Sequence, residues 1–184
     1  MCRRYRLLLD EELLAALDGK RAEADVASGD VAPTDMAAVI ANNRRLKPDV
    51  FPMRWGYTGA SLVVNARSET AYERPMFAES MKKRRCLIPA SWYYEWERRG
   101  RERVRYAIRP QSEGLMYMAG LYRLTQTGAQ FVILTRDASP DVAFIHPRMP
   151  VILPREAMAE WIDPRGDGQT LLREAVLSVR FGAA

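Results

Sequence analysis

Short β-forming segments recur along the 184-residue chain, and they constrain its fold more than any other feature. Gly100 separates two of them, as a hairpin turn requires, and Gly120 and Gly128 interrupt the next ones. The regular strand–helix alternation of a nucleotide-binding sheet is absent, as are glycine-rich phosphate loops. We therefore predict one α+β domain over residues 1–184, built on a curved, mostly antiparallel sheet. The predicted strands are Arg4–Leu8, Ala38–Ala41, Leu62–Asn65, Cys86–Ile88, Trp92–Glu97, Arg103–Ile108, Leu115–Ala119 and Phe131–Thr135.

Three segments predict helices at the margins of this sheet. The first covers 10–18 with Asp10 as its cap, the second covers 75–84, and the third begins near Pro154. Residues 18–36 are rich in turn formers and predict a long loop. The side chains expected to face inward are Leu13, Leu14 and Leu17 in the first helix, Met76, Phe77 and Met81 in the second, and Ala157, Met158 and Trp161 in the third.

Composition excludes several classes of protein. Hydrophobic residues make up 48% and charged residues 28%, which is typical of a folded globular chain rather than a disordered one. No apolar run approaches the ~20 residues of a membrane-spanning helix. The apolar run near the beginning of the sequence is also too short for the core of a signal peptide. We therefore expect a cytoplasmic protein that does not bind membranes. Cys2, Cys86 and His146 lack the paired spacings of a zinc site, so we expect no metal or other cofactor.

Basic residues are clustered along the chain. The formal net charge is only +5, from 28 Lys and Arg against 23 Asp and Glu. Clusters of this kind suit a polyanion such as nucleic acid, although solvated surfaces account equally well for the charge taken alone. The clusters are Arg3, Arg4 and Arg6; Arg44, Arg45 and Lys47; Lys82, Lys83, Arg84 and Arg85; and Arg98, Arg99, Arg101, Arg103 and Arg105.

Cys2 is the most informative candidate for chemistry. A small residue at position 2 permits removal of the initiator Met1, which would leave an α-amine beside a thiol. Their reference pKa values, roughly 7.7–8.0 and roughly 8.5, make both groups partly nucleophilic near neutrality. Such an aminothiol condenses with an aldehyde to a thiazolidine, or attacks an amide with its own amine as base. The alternative is a small residue with no chemical role.

His146 and Glu95 are candidate proton-transfer groups. His146 is the single histidine, and Pro147 and Pro150 would fix the loop around it, so it either assists a nucleophile or anchors its loop. In a strand, Glu95 and Tyr93 point to one face and their neighbours to the other. A carboxylate among aromatic residues suits a general acid, and the alternative is an ion pair with an arginine of 98–105.

Two further segments suit contacts with DNA. Residues 65–70 offer the Asn65 amide, the Arg67 guanidinium and hydroxyl groups at adjacent positions, which suits phosphates and sugars. Trp55 follows a basic residue and could stack a base, although a tryptophan in the core is the commoner explanation.

Taken in order, eight short motifs resemble the SRAP family (SOS-response-associated peptidase), whose members are abasic-site processing proteins. The resemblance covers residues 1–150 and thus most of the chain. The motifs are Met1-Cys2-x-Arg4-Tyr5, Val31-Ala32-Pro33-Thr34, Arg54-Trp55-Gly56-Tyr57, Asn65-Ala66-Arg67-x-Glu69-Thr70, Arg85-Cys86-Leu87-Ile88-Pro89-Ala90, Trp92-Tyr93-Tyr94-Glu95-Trp96, Leu134-Thr135 and Ile145-His146-x-Arg148-Met149-Pro150.

The resemblance implies a bifurcated β-pseudobarrel with flanking helices. It also implies capture of abasic sites in single-stranded DNA as a covalent cross-link, by a monomer associated with the nucleoid when bound to DNA. The implied residue roles are thiazolidine formation by Cys2, positioning by Asn65, proton shuttling by Glu95, proton exchange at the sugar hydroxyl by His146, phosphate contacts by Arg4, Arg67 and Arg148, and base stacking by Trp55.

Three departures from the family pattern stand out. Arg3 replaces a glycine that usually follows the cysteine, and Asp30 replaces an asparagine. The C-terminus is short, with 177–181 as a remnant, so we expect the last strand to be missing.

Two other functions stay open. One is a thiol peptidase, or an enzyme that processes itself or has lyase activity, with Cys2, Glu95 and His146 as its catalytic groups. The other is a non-covalent binder of single-stranded DNA in which Cys2 has no role.

Overall fold

The computed structural model describes residues 2–8, 11–17 and 26–184. The first strands are β1 (Tyr5–Leu7), β2 (Gly29–Val31), β3 (Met36–Asn42), β4 (Pro48–Trp55), β5 (Asn65–Arg67), β6 (Arg85–Ala90) and β7 (Trp92–Arg99). The later strands are β8 (Glu102–Pro110), β9 (Met116–Thr125), β10 (Gly128–Asp137), β11 (Arg148–Pro150), β12 (Ile152–Leu153) and β13 (Val179–Ala183). The helices are α1 (Glu11–Leu17), α2 (Pro75–Lys83), α3 (Met158–Ile162) and α4 (Gly168–Arg173).

A five-stranded sheet places the start of the chain beside its middle. Its order is β13-β8-β7-β1-β2 and all of its pairings are antiparallel. The β7–β8 hairpin turns at Gly100, whose φ of +62° is the left-handed conformation that tight hairpin turns require. Alternation along β7 turns Tyr93 and Glu95 toward the core, as predicted, and leaves the opposite face of the sheet to solvent-side aromatic and basic residues.

The remaining strands form a ring-like twisted sheet. Its pairings run from β10 through β4, β3, β6 and β9 and back to β10. The ring is not a closed barrel, because β3 pairs with β6 at one position and β4 with β10 at two. β5 and β11 extend the far end of β10. The curved, mostly antiparallel SRAP-like architecture predicted from the sequence is confirmed.

Two hydrophobic cores support these sheets. The first lies between the two sheets and includes Tyr5, Trp55 and Phe131. The second lies under the helices, where Met81 and Trp161 are fully buried. Within the described ranges, no helix is long and apolar enough to cross a membrane.

Several predictions about elements need correction. The strand predicted over 62–65 is shifted, since the observed strand is Asn65–Arg67. The loop predicted over 18–36 contains β2, although residues 18–25 and the predicted Asp10 cap lie outside the described residues. Met76 is 52% exposed rather than inward-facing. The last strand is present: β13 pairs with β8 at five positions, so that edge of β8 is covered.

Candidate functional site

The central position of β1 carries Cys2 into the protein interior. Cys2 is 0% exposed, and its Sγ lies 3.8 Å from the Arg4 carbonyl oxygen, to which it donates. The Asn65 side chain approaches from the other sheet, and its Nδ2 donates to the Cys2 carbonyl oxygen at 2.8 Å. This bond fixes the backbone at Cys2 between the two sheets.

Glu95 lies in the same interior region. Its strand pairs with β1 through Tyr5 and Tyr93, and its side chain is 4% exposed. Burial raises the pKa of the Cys2 thiol, and the negative charge of Glu95 raises that pKa further. The thiol is therefore protonated at neutral pH.

Several polar atoms around Cys2 lack hydrogen-bond partners among the described residues. They are the Tyr5 and Tyr93 hydroxyl oxygens and the Asn65 Oδ1. Burial raises the pKa of both tyrosines well above its usual value, so both hydroxyls stay neutral. Buried polar groups are nearly always paired in folded proteins, so three unpaired atoms beside one thiol mark a site where a polar substrate group would complete the bonding. We call Cys2, Tyr5, Asn65, Tyr93 and Glu95 the N-terminal cluster.

The two tyrosines of this cluster were not predicted as site residues. In sequence they have the pattern of core aromatic residues, and both are fully buried. The usable signal was the alternation along β7, which places Tyr93 on the same face as Glu95.

His146 and Arg148 lie at the far end of β10, across that strand from Asn65 and Arg67. β5 pairs with one edge of β10 and β11 with the other. His146 Nδ1 lies 3.0 Å from the Arg148 backbone nitrogen and 3.2 Å from the Arg148 carbonyl oxygen, so the backbone of Arg148 holds the ring. The hydrogen bond of the Cys2 thiol goes to the Arg4 carbonyl oxygen and not to His146. The structure thus brings Cys2, Asn65 and Glu95 together, with His146 on a neighbouring strand end.

The three predicted phosphate-binding arginines differ in their surroundings. Arg67 is exposed, and the Arg4 side chain is 44% exposed with Asp30 Oδ2 at 3.8 Å. Arg148 is only 13% exposed, because it donates to both carboxylate oxygens of Glu69 and to Asp137. Its charge is neutralised, so the structure does not support the predicted phosphate contact for Arg148. It supports a role in holding the loop around His146.

The stacking role predicted for Trp55 is wrong for this structure. Its ring is 0% exposed, stacks on Phe131 at 6.1 Å and contacts Tyr5 at 5.2 Å. Its Nε1 donates to the Val64 carbonyl oxygen at 3.0 Å. Both faces of the indole are therefore occupied by the core. We call Tyr5, Trp55 and Phe131 the core trio.

A second group of aromatic rings lies beside Glu95 at the surface. Tyr106 is the cross-strand partner of Glu95, and its ring meets Phe144 at 5.9 Å and Phe181 at 5.6 Å. Phe144 and Phe181 are 51% and 45% exposed, and Phe144 precedes His146 by two residues. We call Tyr106, Phe144 and Phe181 the surface trio: Phe144 and Phe181 offer exposed rings next to the site, and Tyr106, which is only 7% exposed, packs against them.

The departures from the family pattern are accommodated without disturbing the cluster. Arg3 is exposed. Asp30 pairs with Arg6 at 3.0 Å and accepts from the Tyr94 hydroxyl at 3.3 Å, so it closes the β1–β2 edge. The charge of the Asp30 carboxylate is therefore balanced by Arg6.

These features define a class: a mostly β domain with a buried cysteine at its N-terminus, an adjacent carboxylate and amide, and a basic surface nearby. The chain matches the model of the SOS response associated peptidase (SRAP) family over residues 1–180, and it belongs to that family.

Similar proteins from other organisms agree with this membership. The chain is 31% identical over 167 residues to the abasic site processing protein YoaM of Bacillus subtilis, covering 82% of this chain and 72% of that protein. It is 32% identical over 141 residues to the abasic site processing protein HMCES of Gallus gallus, covering 60% and 42%.

Solved structures share the fold. A crystal structure of a Bordetella bronchiseptica protein superposes with a TM-score of 0.77 at 25% identity, covering 100% of this chain and 99% of that one. A Bacteroides thetaiotaomicron protein superposes with a TM-score of 0.80 at 22% identity, covering 99% and 91%.

Proposed function

We propose that this protein captures abasic sites in single-stranded DNA as a thiazolidine cross-link through Cys2, after removal of Met1. The observation that carries the proposal is the N-terminal cluster, in which three buried polar atoms without partners surround one thiol. Relatives at about 30% identity are named abasic site processing proteins, which supports DNA carrying abasic sites as the substrate.

The chemistry follows from an N-terminal aminothiol. An abasic sugar in its open form is an aldehyde at C1′, and the neutral amine of Cys2 adds to it. Loss of one water gives an imine. The Cys2 sulfur then bonds to C1′ while the thiol proton passes, by way of Glu95, to the imine nitrogen. The net change is protein plus DNA minus one water, and the closed five-membered ring protects the strand against β-elimination.

The surrounding residues divide the remaining work. Asn65 holds the Cys2 carbonyl and so directs the adjacent amine. Glu95 exchanges protons with the amine and the thiol, and His146 donates a proton to the sugar oxygen as the ring opens. Arg4 and Arg67 contact the flanking phosphates. Because the Trp55 ring is buried, the exposed rings of Phe144 and Phe181 stack the neighbouring base instead.

A thiol peptidase is supported less well. A peptidase of this kind needs a thiolate, usually formed by a hydrogen-bonded histidine. Here burial raises the thiol pKa, and Sγ donates to a backbone carbonyl rather than to His146. Condensation with an aldehyde begins at the amine, so it tolerates a protonated thiol.

Intact-mass spectrometry tests the proposal directly. The protein is measured alone and after incubation with a single-stranded oligonucleotide that carries one abasic site. We expect loss of Met1 and a heat-stable species at the mass of protein plus DNA minus one water. Cys86→Ser is the matched control, because that second buried thiol lies on β6 outside the cluster and its loss should leave the adduct intact.

Cys2→Ser separates the two bond-forming steps. The N-terminal amine of this variant still forms an imine, so we expect strand cleavage and a species trapped by borohydride, without the stable adduct. Equal cross-linking by wild-type and Cys2→Ser protein would remove the thiol from the mechanism. Binding without any adduct in the wild type, at equal affinity for intact DNA, would favour the non-covalent binder.

Glu95→Gln and His146→Ala test the proton roles. Both should slow cross-linking by about 10²-fold or more, which is typical of a lost general acid or base, while single-strand affinity changes little. A matching loss of affinity in both variants would indicate structural roles instead.

A further inference from the structure

A row of basic and aromatic residues crosses the face of the five-stranded sheet that points away from the N-terminal cluster. Arg6 pairs with Trp92, and Arg109 pairs with Arg180. Trp92 and Arg109 continue the β7–β8 register by one step beyond Tyr93 and Ile108. Four strands therefore contribute one residue each to a single line, which we call the arginine row: Arg6, Trp92, Arg109 and Arg180.

The row holds like charges in a position that disfavours folding. Arg109 and Arg180 stand directly opposite each other on antiparallel strands, where side chains lie about 5 Å apart and like charges repel. Neither has an ion pair with any acid in the described ranges. Arg6 differs, since Asp30 lies 3.0 Å from it and its guanidinium covers the Trp92 ring at 5.7 Å. The unbalanced charge thus belongs to Arg109 and Arg180.

Two N–H groups of the row are also unsatisfied. Trp92 Nε1 and Arg180 Nε are buried and have no acceptor among the described residues. Both groups are donors only, so another protein donor cannot satisfy them. An oxyanion such as a phosphate would neutralise the repelling guanidinium groups and would also accept hydrogen bonds from these two N–H donors.

A cavity of about 420 Å³ opens beside the row. Trp92, Arg109 and Arg180 line one side of the cavity. The small residues Ala107 and Gly182 form its base and leave the space open. Added atoms at Gly182 would meet nothing within 4 Å. The space suits one nucleotide unit, with the phosphate against the guanidinium groups and the base or sugar against the indole.

We propose that the arginine row is a second binding site for single-stranded DNA, holding a phosphate of the strand outside the N-terminal cluster. Arg6 lies four residues from Cys2, about 13 Å at the rise of a strand, and Arg109 and Arg180 lie two and three strands beyond Arg6, about 10 and 14 Å across the sheet. A DNA strand of several nucleotides can span this distance. The identity of the polymer as DNA rests on the proposed function. The site itself takes a nucleotide phosphate, free or within a strand.

Binding measurements on oligonucleotides of two lengths test the site. The probes are an undamaged 20-mer of thymidine, a 6-mer with one abasic site, and thymidine monophosphate. For Arg109→Gln with Arg180→Gln, we expect about tenfold weaker binding of the 20-mer. The slope of log affinity against log salt should fall by about 1.4, since each phosphate contact on a single strand contributes about 0.7. Cross-linking of the 6-mer should be unchanged.

The matched control removes the same charge elsewhere. Arg44 and Arg45 are exposed at the turn between β3 and β4, and Arg44→Gln with Arg45→Gln should retain the wild-type affinity and slope. Thermal unfolding is the second readout, because relief of repulsion should leave the Arg109 and Arg180 variant as stable as the wild type or more so.

The outcomes separate this site from the proposed function. Unchanged 20-mer binding in the Arg109 and Arg180 variant, or an equal loss in the Arg44 and Arg45 control, overturns the second site. Failure of the wild type to cross-link the 6-mer overturns the proposed function but leaves a weakened 20-mer affinity as support for the site. Tight binding of thymidine monophosphate that the variant loses, without loss of 20-mer affinity, would assign the row to free nucleotides and reject the DNA strand.

Discussion

The core trio and the surface trio each combine a tyrosine with two other aromatic rings, yet they have opposite relations to the solvent. In the core trio, Trp55 is enclosed and the Tyr5 hydroxyl has no partner in the described structure. In the surface trio, Phe144 and Phe181 are half exposed, and the Tyr106 hydroxyl donates to Glu97 and accepts from Arg99. Ring burial and hydroxyl bonding are therefore independent: the rings of Tyr5 and Tyr106 are both buried, but only the Tyr106 hydroxyl has partners.

The largest expected effect is on stability, from the core trio. Trp55→Ala should lower the free energy of unfolding by about 3–5 kcal/mol, because it leaves a cavity between the sheets. For a chain of this length that corresponds to a melting temperature roughly 10 °C lower. Thermal denaturation measures it. A shift of only one or two degrees, with loss of DNA affinity, would return Trp55 to its predicted stacking role.

Next in size is the effect on binding from the surface trio. Phe144→Ala with Phe181→Ala should weaken binding of abasic single-stranded DNA about tenfold or more, since base stacking contributes about 1–3 kcal/mol per base. Stability should change little. Quenching of a 2-aminopurine placed beside the lesion reports the stacking, and Leu124→Ala, a 67% exposed residue on β9, is the control. Phe144→Leu with Phe181→Leu keeps the apolar volume, so retained quenching in that variant would contradict stacking.

The two tyrosines provide the sharpest matched pair. Tyr5→Phe removes a buried hydroxyl without a partner, so stability should change by no more than about 0.5 kcal/mol while cross-linking slows. Tyr106→Phe removes two hydrogen bonds and should lower the free energy of unfolding by about 1 kcal/mol with cross-linking retained. Urea denaturation and a gel assay of the adduct measure both variants. If Tyr5→Phe and Tyr106→Phe changed stability and cross-linking in the same way, the two hydroxyl groups would not differ as described.

The smallest effect is on the pH dependence of stability near the surface trio. The Arg99 guanidinium beside Glu97 holds the pKa of that carboxyl below its usual value, and the Tyr106 hydroxyl adds to the shift. A lowered carboxyl pKa stabilises the fold above the ordinary value of about 4.3, and this stabilisation is lost as the pH falls through the folded value. The stability difference between wild type and Tyr106→Phe should therefore shrink between pH 5 and pH 3. A constant difference across that range would show that Glu97 does not accept from Tyr106.

Local sequence patterns predicted most strands but not their partners. β4 was missed because Pro48 and Pro52 argue against a strand, and the structure tolerates them because β4 pairs with β10 only at Arg54 and Trp55. β2 has three residues and begins with a glycine, which gives no strand signal. The C-terminal strand was expected to be missing, although Val179–Ala183 pairs along its full length. In each case the neighbouring strand supplies stability that local composition does not show.

The candidate site divides in the same way. The residue types at positions 2, 65 and 95 could be singled out from the sequence, because each has chemistry that a motif exposes. The stacking of Trp55 on Phe131 and the ion pair of Arg148 with Glu69 could not, since each partner is more than 60 positions away. The arginine row likewise exists only through the register of four strands.

The central position of β1 has a consequence for biosynthesis. β1 is synthesised well before β7, which is complete only when residue 99 has been added. During that interval β1 lacks the neighbour that carries Glu95, so Cys2 and Glu95 cannot yet be brought together. The interior around Cys2 therefore forms only after β7 has been synthesised.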